Sequence, residues 1–359
     1  MDRGTSFIFE LRGWPARSPG VAKGGVPGEW TACIYNQRMP GEQPKGHHYV
    51  TRAYLEGFTD PALGKECYLW LYMPGKTPFR QRPERVAKRN YYYCYEQNSQ
   101  RQFHAEHVLQ KLEDVSLLPL RQLRAGNFHL SAQDRLTFAG YIALSFTRVP
   151  SFERESNLLT AFIEATKLEA ASKDKEMLAE GARLHREETG EDKTPEEFQK
   201  QLTGGSIIVS QTSRAWSLGQ MMDITMRLQM VIVNMKWTFL LAPTDDPGFL
   251  TSDNPVAVFD PRGDQSGKIA FASSPAAYFT FPICRSICLS GQHVGGPLSS
   301  RISAAKVREV NKGTIIRSDT QVYAPFDSDK IQELVNRAVD ARPRQPQRVL
   351  FSKGRVVVE

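Results

Sequence analysis

The feature that most narrows the folds open to this chain is a change of hydrophobic period near residue 236. Before it, apolar residues recur at helical spacing: Phe103, Val108, Leu112, Val115, Leu120 and Leu123 form one series, and Leu136, Ala139, Ile142, Ala143 and Phe146 another. After it they gather in short runs of strand length, at 237–241, 255–259, 278–281, 287–289 and 322–324, punctuated by Gly and Pro. Helices followed by clustered strands predict an α+β fold, with a mainly helical N-terminal part packed on a C-terminal, mostly antiparallel sheet.

Boundary residues divide the chain further. Pro119 predicts a kink or break in the first helix. Ser131 to Asp134 reads as a capping box opening the second helix, and Arg148-Val149-Pro150 closes it. Residues 155–205 mix both charges with good helix formers, and Thr194-Pro195-Glu196-Glu197 sets an N-cap before Pro at the first helical position, so a polar helical insertion is predicted there. Trp216, Met221, Leu228, Ile232 and Met235 mark a long, largely buried helix. Residues 1–40 are rich in Gly, Pro and Arg without either period; they are predicted to be a disordered extension, with translation starting at Met39. A single domain is expected over 41–340, followed by a basic tail at 341–359.

A content of 40% hydrophobic and 10% aromatic residues is enough for a substantial core in 359 residues. The longest apolar run, 230–243, is shorter than the roughly 20 residues of a membrane span and is interrupted by Asn234 and Lys236. No membrane helix is predicted, and without a leader-like start a cytoplasmic location is expected. Cys33, Cys67, Cys94, Cys284 and Cys288 are too scattered for a disulfide framework. The net charge of +7 is concentrated in two places, the tail and the run Arg80, Arg82, Arg85, Lys88 and Arg89. That run is interleaved with Tyr91, Tyr92, Tyr93 and Tyr95, a composition that can stack bases and neutralise phosphates. Nucleic acid contacted through 80–95 is therefore the expected partner, although alternating tyrosines also suit a half-buried strand.

Several polar residues stand inside otherwise apolar blocks. His47 and His48 precede Tyr49, Val50, Tyr54, Leu55 and Phe58, which are spaced as a short buried helix. Side chains of neighbouring residues diverge, so His48 alone is the better candidate ligand or base. Thr251-Ser252-Asp253-Asn254-Pro255 has the composition of a turn, yet Asp253 could aim a carboxylate into a cleft. Glu106 and Glu113 share a helix face but lie about 10 Å apart along its axis, too far to grip one ion together, and one of them is expected to pair with Arg148. His104-Ala105-Glu106-His107 lacks the zinc-protease spacing, and Cys284, Cys288 and His293 lack a fourth ligand. No phosphate-cradling loop, dinucleotide fingerprint or nucleophile elbow is present.

Taken together, these blocks resemble the domain-of-unknown-function family numbered 4238. The resemblance is carried by His48, Tyr49, Val50, Tyr54, Leu55 and Phe58, by Val86-Ala87 leading to Tyr91-Tyr92, and by Glu106, Glu113 and Arg148-Val149-Pro150. Trp237, the run 251–256, Asn311 and Val322-Tyr323 complete it. Thr51 stands where the family's pattern has Pro. The resemblance implies an intracellular, mostly microbial, single-module protein, and supplies an architecture and a residue shortlist rather than an activity. Two expectations follow. In the first, the protein is a metal-assisted hydrolase acting on phosphodiesters: His48 and Asp253 hold a divalent metal ion, Glu106 or Glu113 completes the site or takes the proton, and Arg148 stabilises phosphate charge. Arg85, Lys88, Arg89, Tyr54 and Asn254 would contact the substrate. In the second, it is a non-catalytic binding or regulatory module whose motif residues are structural.

Overall fold

The computed structural model describes residues 45–60, 67–209, 213–261, 274–340 and 348–358. The expectations for residues 1–40, including a start at Met39, lie outside the described residues. The class is α+β. In chain order the elements are β1 (Gly46–His48), α1 (Arg52–Leu55), β2 (Leu69–Tyr72), β3 (Phe79–Gln81), β4 (Lys88–Asn90), β5 (Tyr95–Gln97), β6 (Gln100–Gln102), α2 (His104–Arg124) and α3 (Ala132–Thr147). Then come α4 (Pro150–Ala171), α5 (Lys175–Thr189), α6 (Pro195–Thr203), β7 (Ser206–Val209), α7 (Arg214–Asn234), β8 (Lys236–Leu241), β9 (Thr251–Ser252) and β10 (Ala257–Phe259). The series ends with β11 (Tyr278–Cys284), β12 (Ile287–Gln292), β13 (Ser299–Arg301), α8 (Ala304–Arg317), β14 (Val322–Ala324), α9 (Asp329–Asp340), β15 (Val349–Ser352) and β16 (Arg355–Val358).

Local chemistry places most boundaries. Ser131 caps α3 by accepting from the Asp134 N–H, and Pro150 opens α4 directly after Arg148 ends α3. Thr194 and Glu197 form a reciprocal capping box at α6. Pro119, expected to kink or break its helix, instead lies inside an uninterrupted α2. The carbonyl that loses its partner belongs to Val115, which is 57% exposed, so water can serve it. Six strands precede α2, in the part of the chain expected to be mainly helical. At three or four residues each, they are too short to display an alternation.

Contacts divide the chain into two compact units. The larger comprises Met39–Glu153 and Arg214–Pro343. It contains a five-stranded sheet in the order β10-β11-β12-β8-β13, antiparallel except where β13 runs parallel to β8, and a four-stranded sheet in the order β3-β2-β14-β9. Its core is an aromatic cluster in which Phe138 of α3 meets Phe281 of β11 and Trp237 of β8, and Tyr141 meets Phe281. Two polar devices lock α3 to α7. The Arg135 guanidinium donates to the carbonyls of Val233 and Met235 (3.1 and 2.7 Å), capping the end of α7 while lying over Trp237, and Thr147 and Thr225 share a 2.6 Å hydroxyl contact. Gly248, at φ 99°, lets the following amide reach the Arg285 carbonyl at 2.7 Å.

The smaller unit includes Arg154–Ser213 and Arg344–Glu359. β15 pairs antiparallel with both β16 and β7, and its Phe351 packs among Leu168, Leu178, Ala182, Phe198 and Leu202. Among the described residues no helix is long and apolar enough to cross a membrane.

Candidate functional site

The family-like residues near the start of the larger unit are organised by Thr51. It caps α1 by accepting from the Tyr54 N–H at 3.3 Å, and its hydroxyl meets the Tyr141 hydroxyl at 2.5 Å. A proline at this position could supply neither contact, so the departure from the family's pattern replaces a rigid turn with a side-chain cap. Below it Tyr54, 1% exposed, bonds Thr251 and the Pro282 carbonyl, both at 2.7 Å. Arg124 closes the other end of α1 on the Ala53 and Tyr54 carbonyls.

Arg148, 3% exposed, is the hub. One terminal nitrogen binds the Glu113 carboxylate, the other binds the His48 carbonyl, and Nε donates to the Tyr93 hydroxyl at 3.1 Å; that hydroxyl donates back to the Arg148 carbonyl at 3.2 Å. Burial opposes the charge, but Tyr93 and Glu113 outweigh it and hold the guanidinium protonated. The expected pairing of Arg148 with a helix carboxylate is thus made by Glu113. Glu106, two turns earlier on α2, lies 3.4 Å from Nδ1 of the fully buried His47. That nitrogen already accepts the Tyr93 N–H at 3.1 Å, so an ionised Glu106 faces a lone pair instead of a proton. Burial raises the Glu106 carboxyl to about 7; the Arg148 charge lowers it in part and the Glu113 charge raises it.

Burial, then the charges of Lys88 and Arg148, depress the His48 imidazole to about 4, while a bond to the Val86 backbone opposes them. The ring is neutral at pH 7, with Nδ1 buried and lacking a hydrogen-bond partner. His48 lines a cavity of about 290 Å³ with Thr51, Arg52, Glu56, Glu113, Asp114 and Tyr141, walled by Leu117 and Leu120. The basin is acidic. Arg52 is tied to Glu56 at 2.9 Å and Glu113 to Arg148.

Asp253 does not line this cavity. Its carboxylate accepts the N–H groups of Asp319, Thr320 and Gln321 at 2.7, 2.7 and 2.9 Å and the Thr320 hydroxyl at 2.9 Å, which binds the turn before β14 to the end of β9. Burial and the neighbouring Asp319 push it up to about 6 against the pull of those donors. Asn254, 3% exposed, donates to the Arg317 carbonyl at 2.9 Å. The structure therefore brings His48, Glu113 and Arg148 together, sets Glu106 beside His47, and gives Asp253, Asn254 and Tyr54 internal bonding roles. Among the described residues no group of three or more His, Cys, Asp or Glu side chains is arranged to hold a metal ion. His47, Thr51, Tyr93 and Tyr141 had no place in the sequence-derived site; the adjacent histidines and the tyrosine run were the available signals, but only the β1–β4 register separates inward from outward members.

Arg85, Lys88 and Arg89 are exposed. β4 pairs with β1, so Lys88 stands opposite His48 and Arg89 opposite His47. Four arginines of this region rest on rings: Arg80 on Trp70, Arg82 on Tyr68, Arg89 on Tyr92 and Arg101 on Tyr91, at 5.1, 5.3, 5.5 and 3.8 Å.

Fold and site together define a class: an α+β protein whose motif residues knit β1, α1, α2 and α3 around a buried arginine. The chain belongs to the family described as Protein of unknown function (DUF4238), whose model matches residues 46–328. Nothing matches it among curated proteins or solved structures.

Proposed function

We propose that this protein works by binding a partner, and that its family motif residues hold the fold that presents the binding surface. The observation that carries this reading is the bonding of Asp253: four donors occupy its carboxylate, leaving little capacity for a metal ion or a substrate proton. Arg148 supports it in the same way, since its fork is engaged by Glu113, the His48 carbonyl and Tyr93. A second reading, metal-assisted phosphodiester hydrolysis, is favoured by one observation: a neutral His48 anchored on Val86 with an unpartnered Nδ1, beside a cavity that Glu113 and Asp114 also line.

The two are separated by measuring bound metal and phosphodiesterase activity of the purified protein, alongside melting of Asp253→Ala and His48→Ala. Binding predicts no stoichiometric divalent metal, no turnover, and a loss of about 3 kcal/mol in Asp253→Ala because the 319–321 donors are left unpaired. Turnover that disappears in His48→Ala while the melting temperature holds would establish the hydrolase instead.

A further inference from the structure

The stretch from Arg80 to Arg101 carries six cations against the carboxylates of Glu84 and Glu96. Among the described residues Arg80, Arg85, Lys88, Arg89 and Arg101 make no ion pair with a carboxylate, whereas the exposed arginines Arg52, Arg183, Arg227 and Arg337 each do. Arg121, Arg285, Arg301 and Arg308 are also exposed without an ion pair among the described residues, so what sets this stretch apart is that its unpaired cations are clustered in the chain and lie near aromatic rings.

Its arginines are laid on rings. The guanidinium carbons of Arg80, Arg89 and Arg101 lie 5.1, 5.5 and 3.8 Å from the ring centroids of Trp70, Tyr92 and Tyr91, within cation–π reach, and all three arginines are exposed. Such a group offers a planar platform for a nucleobase and edge donors for a phosphate, and it has lost much of its rotamer freedom before any ligand arrives. Lys88, Arg89 and Asn90 are all exposed although they are consecutive in β4, so charge projects from both faces of that two-stranded ribbon. The stacked arginines come from β3, β4 and β6, which belong to three separate small sheets. No single helix or long strand carries them, as a reader of a duplex groove would require; a partner that bends from one platform to the next fits better.

We infer that the Arg80–Arg101 surface binds single-stranded nucleic acid, with Arg80, Arg89 and Arg101 as stacking platforms and Arg85 and Lys88 as phosphate contacts. The inference rests on the binding reading above and names its partner. Anionic lipid is the weaker fit, because the rings beneath the arginines are covered and cannot insert.

The test uses the full chain and fluorescence anisotropy with a labelled oligonucleotide of about 20 nucleotides, its duplex, dextran sulfate and anionic vesicles, over about 50 to 300 mM salt. Single strands are expected to bind in preference to duplex, with log affinity falling against log salt at a slope of about −3.5, since the edge donors of the three platform arginines add to Arg85 and Lys88 to give roughly five phosphate contacts. The triple reversal R80E/R89E/R101E is expected to weaken binding by more than about 100-fold with unchanged melting. Tyr91→Gly removes a ring from a residue at φ 52°, a conformation glycine adopts freely, so folding is spared while oligonucleotide affinity falls about tenfold and dextran sulfate affinity holds. Tighter binding to duplex or vesicles, an unaffected triple variant, or equal losses for oligonucleotide and dextran sulfate in Tyr91→Gly would each overturn the assignment. Failure here with inactive, metal-free protein leaves the binding reading standing; phosphodiester turnover removes that reading and leaves the surface to be judged on these affinities.

Discussion

At the scale of single residues, two ionisable groups tune stability in opposite directions. Glu106 has its carboxyl raised to about 7, so the folded protein holds a proton that the unfolded chain releases near 4.5. Its contribution is fully present below the unfolded value and is lost as pH rises through 7. His48 is depressed to about 4, so the unfolded chain takes the proton first and stability grows as pH rises from 4 to 6.5. Asp253, raised to about 6, adds a falling slope of its own up to that pH, so between about pH 4.5 and 6 two falling slopes outweigh the rising one. Glu106→Gln removes one of them, and denaturant melts of this variant should be close to flat across that window while the natural protein declines by about 1 kcal/mol per pH unit, with a gain of about 1 to 3 kcal/mol over the natural protein at pH 8. A decline in the variant as steep as the natural protein's would mean that Glu106 is ionised at neutral pH. Of these details, the pairing of Arg148 with one of Glu106 and Glu113 was legible in the sequence because seven-residue spacing left one carboxylate for the arginine, although which of the two was not. The role of His47 was not, since adjacent histidines are distinguished only by which one the β1–β4 pairing turns inward.

At the scale of elements, helices were the readable part. Ser131, Thr194 and Pro150 announce their helix starts through side-chain caps and a fixed φ, chemistry that is local and therefore visible in sequence. β1 to β6 carry no such signal, because at three or four residues each they are too short to show an alternation, and β2 takes one of its partners, β14, some 250 residues on. The turn between β11 and β12 is approached by Gly248, in a backbone conformation that only glycine adopts easily, beside the Arg285 carbonyl where a Cβ would stand. Gly248→Ala should therefore lose about 2 kcal/mol in denaturant unfolding, from strain and a broken Phe249–Arg285 bond. Gly75→Ala, also at positive φ but with open space around it, should lose only about 1 kcal/mol. Equal losses would remove the role assigned to the close approach.

At the scale of the whole molecule, the helical insertion was visible as a composition shift, but its completion by the chain's last strands was not. Nothing in residues 349–358 says that they pair with residues 206–209, because register is set by a partner of matching length and not by local pattern. The smaller unit rests on two small apolar clusters, against the extended aromatic core of the larger. Amides of α5, α6 and β15 should therefore exchange with deuterium faster than those of α3 and β11, and matching rates would show one cooperative body. The pairing of β7 also has a consequence for biosynthesis. Its only described partner emerges from the ribosome about 140 residues later, a delay of roughly 7 to 30 s at ordinary elongation rates. Through that interval a strand-forming segment waits with both edges bare beside three nascent helices, which makes this the stage at which a chaperone would be needed most.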